Sequence, residues 1–136
     1  MLELSKSKKK DVQAKILVID DEPDLVDTLQ CQLEFNSYEV VIAENGKEGL
    51  EKAKSEKPDL ILLDYAMPVM DGLGMLEKLR SHPDLKEIPV IMLTASSEAQ
   101  NVEKACSCGI TDYITKPFDY GLLMEKITDV LEVKKS

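Results

Sequence analysis

Four runs of the chain are apolar throughout: residues 16–19, 40–43, 60–63 and 90–93. A fifth stretch, 112–115, is shorter and more polar and is centred on Ile114. A strand with one wet face alternates apolar and polar positions. A run with no alternation predicts a strand covered on both faces, as in a parallel sheet. The segments between these runs have helical period. Over 24–35 the pattern puts Leu25, Val26, Leu29 and Leu33 on one side, and Pro23 suits the first turn. A second helix starts at Asn45, with Glu48 three residues on as a capping-box partner. A third runs from 72 to 80 and stops before His82-Pro83, because proline disfavours helical backbone in the residue before it. A fourth opens on Ser97 with Gln100 and ends at Gly109. A fifth follows Asp119, with Leu122, Leu123, Ile127, Val130 and Leu131 as its apolar stripe.

The pattern is (βα)5, an α/β fold. Right-handed crossovers leave few ways to wind it, and an open doubly wound parallel sheet is the best of them. The first, third and fourth strands are the most apolar and are placed in the centre. That gives the flavodoxin-like order 2-1-3-4-5. A closed barrel of eight such units takes about 250 residues, and this chain has 136. The length is that of one domain, and 43% apolar residues suffice for its core. The domain is assigned to residues 15–133. Residues 1–14 are read as a flexible arm, basic through Lys6, Lys8, Lys9 and Lys10, with Glu3 and Asp11 opposing. A solvated tail is the simpler account of the arm, and a docking arm for an acidic partner the alternative.

In such sheets ligands bind beyond the carboxyl ends of the strands. Asp20 and Asp21 follow the first apolar run, Asp64 the third, Thr94 the fourth, and Lys116 then Pro117 the fifth. Glu44-Asn45, after the second, reads as a helix start. Singly, each residue has a structural explanation. Asp20 or Asp21 could cap a helix, Asp64 could open a turn, Thr94 could bond backbone at a strand end, and Lys116 could lie on the surface. Together they place three carboxylates, a hydroxyl and an ammonium at one sheet edge. Two carboxylates about 4 Å apart repel by roughly 4 kcal/mol at an effective dielectric of about 20. A hard divalent cation removes that cost, and Mg²⁺ accepts one or two carboxylates plus a phosphate. Such a site suits phosphoryl transfer, which needs positioning and charge neutralisation above all. Asp64 is the candidate nucleophile, forming an acyl phosphate.

Charge and cysteine content narrow the classes. With 26 acidic against 17 basic residues the net charge is −9, which disfavours direct nucleic-acid binding. Cys31, Cys106 and Cys108 are too few and too oddly placed for a disulfide framework, which points to a reducing cytoplasm. Cys106 and Cys108 read as partly buried apolar fillers near a helix end. No apolar stretch approaches the roughly 18 residues of a membrane span, and no secretory signal is present.

The residues at these positions closely resemble the receiver domain of two-component response regulators, the CheY-like family. The carrying motifs are Ile16-Leu17-Val18-Ile19-Asp20-Asp21-Glu22-Pro23, Asp64-Tyr65-Ala66-Met67-Pro68-Val69-Met70-Asp71-Gly72, Leu93-Thr94-Ala95, and Asp112-Tyr113-Ile114-Thr115-Lys116-Pro117-Phe118. The resemblance implies that Asp64 accepts the phosphoryl group from a phosphohistidine on a sensor histidine kinase or phosphotransfer protein. It implies Mg²⁺ bound by Asp21, Asp64 and the backbone carbonyl of Ala66, with Asp20 acting mostly through water. Thr94 and Lys116 would each meet a phosphoryl oxygen. A cis bond would join Lys116 to Pro117, and Tyr113 would be the aromatic that turns inward when Thr94 moves. The face of the fourth helix, fifth strand and fifth helix would bind an output partner or a second copy. Ala66 and Ser96 stand where the family tunes hydrolysis of the acyl phosphate.

Three rivals remain at the level of sequence. Haloacid-dehalogenase-type enzymes place a second Asp two residues after the nucleophile, where this chain has Ala66. A nucleotide-binding fold would carry a G-x-G-x-x-G or GK[ST] motif after a strand, and none occurs. A phosphate-independent interaction module is opposed by the intact site. The chain could stand alone or be the receiver of a DNA-binding regulator or hybrid kinase. His82 is too far along the chain from any strand end to serve as a relay histidine and reads as a loop residue.

Overall fold

The computed structural model describes residues 12–67, 70–95, 103 and 105–135. Five strands form one sheet: β1 (Lys15–Ile19), β2 (Glu39–Ala43), β3 (Leu60–Asp64), β4 (Val90–Ala95) and β5 (Asp112–Lys116). They are all parallel, in the order β2-β1-β3-β4-β5. The helices are α1 (Pro23–Phe35), α2 (Gly46–Glu56), α3 (Gly72–Ser81) and α5 (Tyr120–Lys135). The described part of α4 is helical at 103 and 105–107. The expected Ser97–Gln100 cap lies outside the described residues, as do Pro68, Val69, Ser96 and residues 1–11.

Strand alternation builds a core on each face of the sheet. Ile16, Val18, Leu60, Leu62, Ile91, Leu93 and Ile114 point to the side of α1 and α5, where Val26, Leu29, Leu33, Leu123, Ile127 and Val130 meet them. Leu17, Ile19, Ile61, Leu63, Val90 and Met92 point the other way, onto Met75, Leu76 and Leu79 of α3 and Ala53 of α2. All five residues of β3 are buried, whereas edge strand β5 buries only Ile114. The most apolar runs are therefore the central ones.

Local signals behave as their chemistry requires, with small departures. Asn45 Oδ1 accepts from the Glu48 amide at 2.9 Å, but Glu48 Oε1 accepts from the Glu44 amide rather than from Asn45. Asp119 Oδ1 accepts from the amides of Gly121 and Leu122, closing the start of α5. Leu122 departs from its expected place, because it is 46% exposed. Leu123, Ile127, Val130 and Leu131 follow the i, i+4, i+7, i+8 stripe, and Leu122 lies one residue, about 100°, off it. Cys106 is exposed rather than a buried filler, while Cys108 is half-buried, and all three cysteines are free thiols. Gln13 and Ala14, at the end of the assigned arm, are joined to the sheet: the Gln13 amide donates to Ser37 O, and Ala14 O accepts from the Glu39 amide.

One tie has no precursor in the periodicity. Half-buried Arg80, in the last turn of α3, donates from Nε and Nη2 to Gly109 O, at 3.0 and 2.7 Å. Its Nη1 donates to Lys86 O and Ile88 O, at 2.9 and 2.8 Å. One guanidinium thus fastens the end of α3, the approach to β4, and the left-handed Gly109 (φ 97°) that closes α4. Arg80→Met should lower stability by about 3 kcal/mol, since charge-assisted bonds to carbonyls are worth roughly 1.5–3 kcal/mol each and the carbonyls only partly recover them from water. Urea unfolding measures this, and a loss below about 1 kcal/mol would mean the clamp is dispensable.

Candidate functional site

The strands end in register. Ile19 pairs with Leu63, Asp64 with Leu93, and Ala95 with Lys116. Each residue singled out lies within two positions of the last residue of its strand, so parallel pairing alone gathers them at one edge. Asp64 closes β3, Thr94 and Lys116 lie at the ends of β4 and β5, and Asp20 and Asp21 follow β1. Among the described residues, Asp20, Asp64 and Thr94 are the buried polar side chains, with 1%, 5% and 2% exposure. Asp21 is exposed.

Carboxylate oxygens of Asp20, Asp21 and Asp64 lie within 4.8 Å of one another. Lys116 Nζ donates to Asp20 Oδ2 at 3.0 Å, to Asp64 Oδ1 at 3.2 Å and to Glu22 Oε1 at 2.8 Å. Asp20 Oδ1 also accepts from the Glu22 amide at 2.9 Å. Burial, together with the charge of Asp20, raises the Asp64 pKa from 3.8 to about 6, against the pull of Lys116. Burial opposes the charge on Lys116, but its bonds to Glu22 and Asp20 outweigh that and hold its pKa above the ordinary lysine value. The edge is thus a carboxylate cluster with one cation too few, which suits a divalent ion. Exposed Asp21 gives such an ion a side open to water.

Thr94 contributes a different signal. Its Oγ1 is the one buried side-chain oxygen without a hydrogen-bond partner among the described residues. Buried hydroxyls are seldom left so, and an oxyanion on Asp64 is the kind of acceptor that would satisfy it. Tyr113, one residue before Ile114 on β5, is 39% exposed. The Lys116–Pro117 peptide bond is cis. Past Asp64 the chain folds back tightly: the Gly72 amide donates to Tyr65 O, and a Cβ on Gly72 would stand 2.6 Å from Asp64 O. Only glycine lets α3 start this close to the end of β3.

Every residue singled out at the strand ends is brought to this edge. Glu22 was not singled out, although its side chain makes the shortest bond to Lys116. Its one sequence signal was its position directly after Asp20-Asp21. His82 caps the end of α3, where its Nδ1 accepts from the Asp84 amide, a loop role.

Comparison with known proteins finds a family model, the response regulator receiver domain, matching residues 16–128. Among curated relatives, the alkaline phosphatase synthesis transcriptional regulatory protein PhoP of Bacillus subtilis is 44% identical over 76% of this chain and 42% of its own length. The chain spans about half the length of the curated relatives it matches. Among solved structures, the signal receiver domain of a signal transduction histidine kinase from Syntrophus aciditrophicus superposes with a TM-score of 0.82. It shares 35% identity, over 88% of this chain and 90% of that one. The receiver domain of sensor histidine kinase PA1611 from Pseudomonas aeruginosa, solved with a magnesium ion in its active-site cleft, gives 0.81 at 26% identity over 88% and 98% of the two chains.

Proposed function

The chain belongs to the response regulator receiver family of two-component signalling, and from that premise we propose that Asp64 is its phosphoryl acceptor. The observation that carries the reading is the edge itself: a buried carboxylate bonded to Lys116, with the unpartnered hydroxyl of Thr94 also buried at the strand ends. An Asp64 oxygen attacks the phosphorus of a phosphohistidine on a sensor kinase or phosphotransfer protein. The P–O bond forms as the P–N bond breaks, and the imidazole nitrogen keeps the electron pair and takes a proton. Asp21 and Asp64, with the backbone carbonyl of Ala66 and with Asp20 behind them, would hold a Mg²⁺ that, when bound, neutralises charge on the phosphoryl oxygens. Lys116 and Thr94 supply donors for those oxygens.

The acyl phosphate adds about −1.5 to −2 charge at one point. Thr94 turning toward it vacates space for the Tyr113 ring, a shift between two packings of one fold. The face of α4, β5 and α5 is then the surface read by an output partner or a second copy of the chain.

The test is intact mass after incubation with acetyl phosphate, with and without Mg²⁺. The expected result is a single phosphoryl adduct that requires Mg²⁺. Borohydride reduction should place it on the peptide carrying Asp64, as homoserine. An adduct elsewhere sinks the reading, and a well-folded protein that takes none sinks it and leaves a phosphate-independent interaction module.

A further inference from the structure

An ammonium has three N–H donors and no more. Lys116 spends all three, on Asp20, Asp64 and Glu22. To meet a phosphoryl oxygen on Asp64, it must release one acceptor. Asp20 is the costly choice, because its side chain is wholly buried and would be left as an unpaired charge. Asp64 is the reacting group itself. The Glu22 side chain is 59% exposed, so water replaces its lost bond at small cost.

Two further observations make Glu22 free to leave. It occupies the N-cap position of α1, yet its side chain gives the helix no capping bond. Proline in the first turn already starts that helix. The Glu22–Lys116 pair also borders an open cleft of about 390 Å³, lined by Leu25, Pro117, Phe118 and Tyr120, so no packed side chain encloses the Glu22 carboxylate.

We propose that Glu22 is the exchangeable acceptor of Lys116, holding the ammonium over the unphosphorylated site and yielding its place to a phosphoryl oxygen. Glu22 is then a positioning residue that acts through Lys116, and releasing it is part of the cost of phosphoryl binding. The inference rests on the reading of Asp64 as acceptor.

The test titrates beryllofluoride, a phosphoryl mimic, into the full chain at saturating Mg²⁺, followed by ¹⁹F NMR. Three proteins are compared: wild type, Glu22→Gln and Glu44→Gln. Glu44 is a second exposed acid at the same sheet edge that makes no bond to Lys116. Glu22→Gln should bind the mimic about threefold more tightly, the scale of an exposed ion pair. It should also be no more stable than wild type without it, a combination that a purely structural role would not produce. Glu44→Gln should bind as wild type does. Unchanged or weaker binding by Glu22→Gln overturns the proposal. So does an equal gain in Glu44→Gln, which would make the effect one of net charge alone. A wild type that binds no mimic instead removes the acceptor reading, and this inference with it.

Discussion

Asp64→Asn protein should accept no phosphoryl group and, without divalent cation, should be more stable than wild type at pH 7 by about 2–3 kcal/mol. The carboxyl carries a folded-state pKa of about 6 against an ordinary 3.8, through burial and the neighbouring charge of Asp20. Below pH 3.8 both folded and unfolded wild type hold the proton, and Asp64 costs nothing. As pH rises the unfolded chain ionises first, so stability falls until the pH passes about 6, at about 1.4 kcal/mol per pH unit. Above that the penalty is constant. Asparagine keeps the shape and cannot ionise, although its weaker bond to Lys116 returns part of the gain. Urea unfolding from pH 4 to 8 should show the two proteins converging at the acid end and diverging toward neutrality. Mg²⁺ should stabilise wild type far more than the variant. A variant less stable than wild type at pH 7, or curves parallel in pH, would mean that the cluster is not strained by charge.

Lys116→Met should have the opposite effect, a loss of about 3 kcal/mol at pH 7. The methylenes of the side chain are retained, so the change isolates the ammonium. Without it Asp20, wholly buried, and Asp64, with 7% of its side chain exposed, face each other with no counter-charge. Removing one partner from a buried charge group costs about 3–5 kcal/mol, and solvent near the exposed Asp21 keeps this case at the low end. Lysine with a raised pKa stabilises the fold at every pH below its ordinary value of 10.5 and loses that effect only in strong alkali. The wild-type advantage should therefore persist across neutral pH. It should shrink near pH 5, where Asp64 in the variant holds its proton. Phosphorylation by acetyl phosphate should slow roughly 100-fold, the scale for removing one preorganised donor from a developing oxyanion. Near-normal adduct formation in folded Lys116→Met would show that Thr94 and the cation suffice.

Much of this is legible in the sequence. The four uninterrupted apolar runs identify parallel strands, and three of them, β1, β3 and β4, are covered on both faces as such runs require, whereas edge strand β2 is mostly half-buried. Their relative apolarity separates the central β1, β3 and β4 from the edge strands β2 and β5. The residues at the strand ends follow from the same pattern, since parallel strands of similar length must deliver their last residues to one edge. Leu122 was misplaced because it neighbours Leu123 in sequence, although adjacent residues on a helix face about 100° apart. Arg80 gave no signal at all. Its partners are backbone carbonyls at Lys86, Ile88 and Gly109, and a carbonyl has no residue type to read.

The sequence by itself determined the strands, the winding and the strand-end residues that meet at one edge, Glu22 excepted, because these depend on periodicity, which is local. Tertiary structure alone decided how those residues share charge. Lys116 reaches Asp20 across 96 positions and Glu22 across 94, and nothing local says which carboxylate gets which proton of the ammonium. Whether Asp64 ionises near 4 or near 6, and whether Thr94 keeps a partner, depends on how much water the surrounding elements exclude. Desolvation and pairing are properties of the assembled neighbourhood, fixed only when α1, β3, β4 and β5 close around the strand ends.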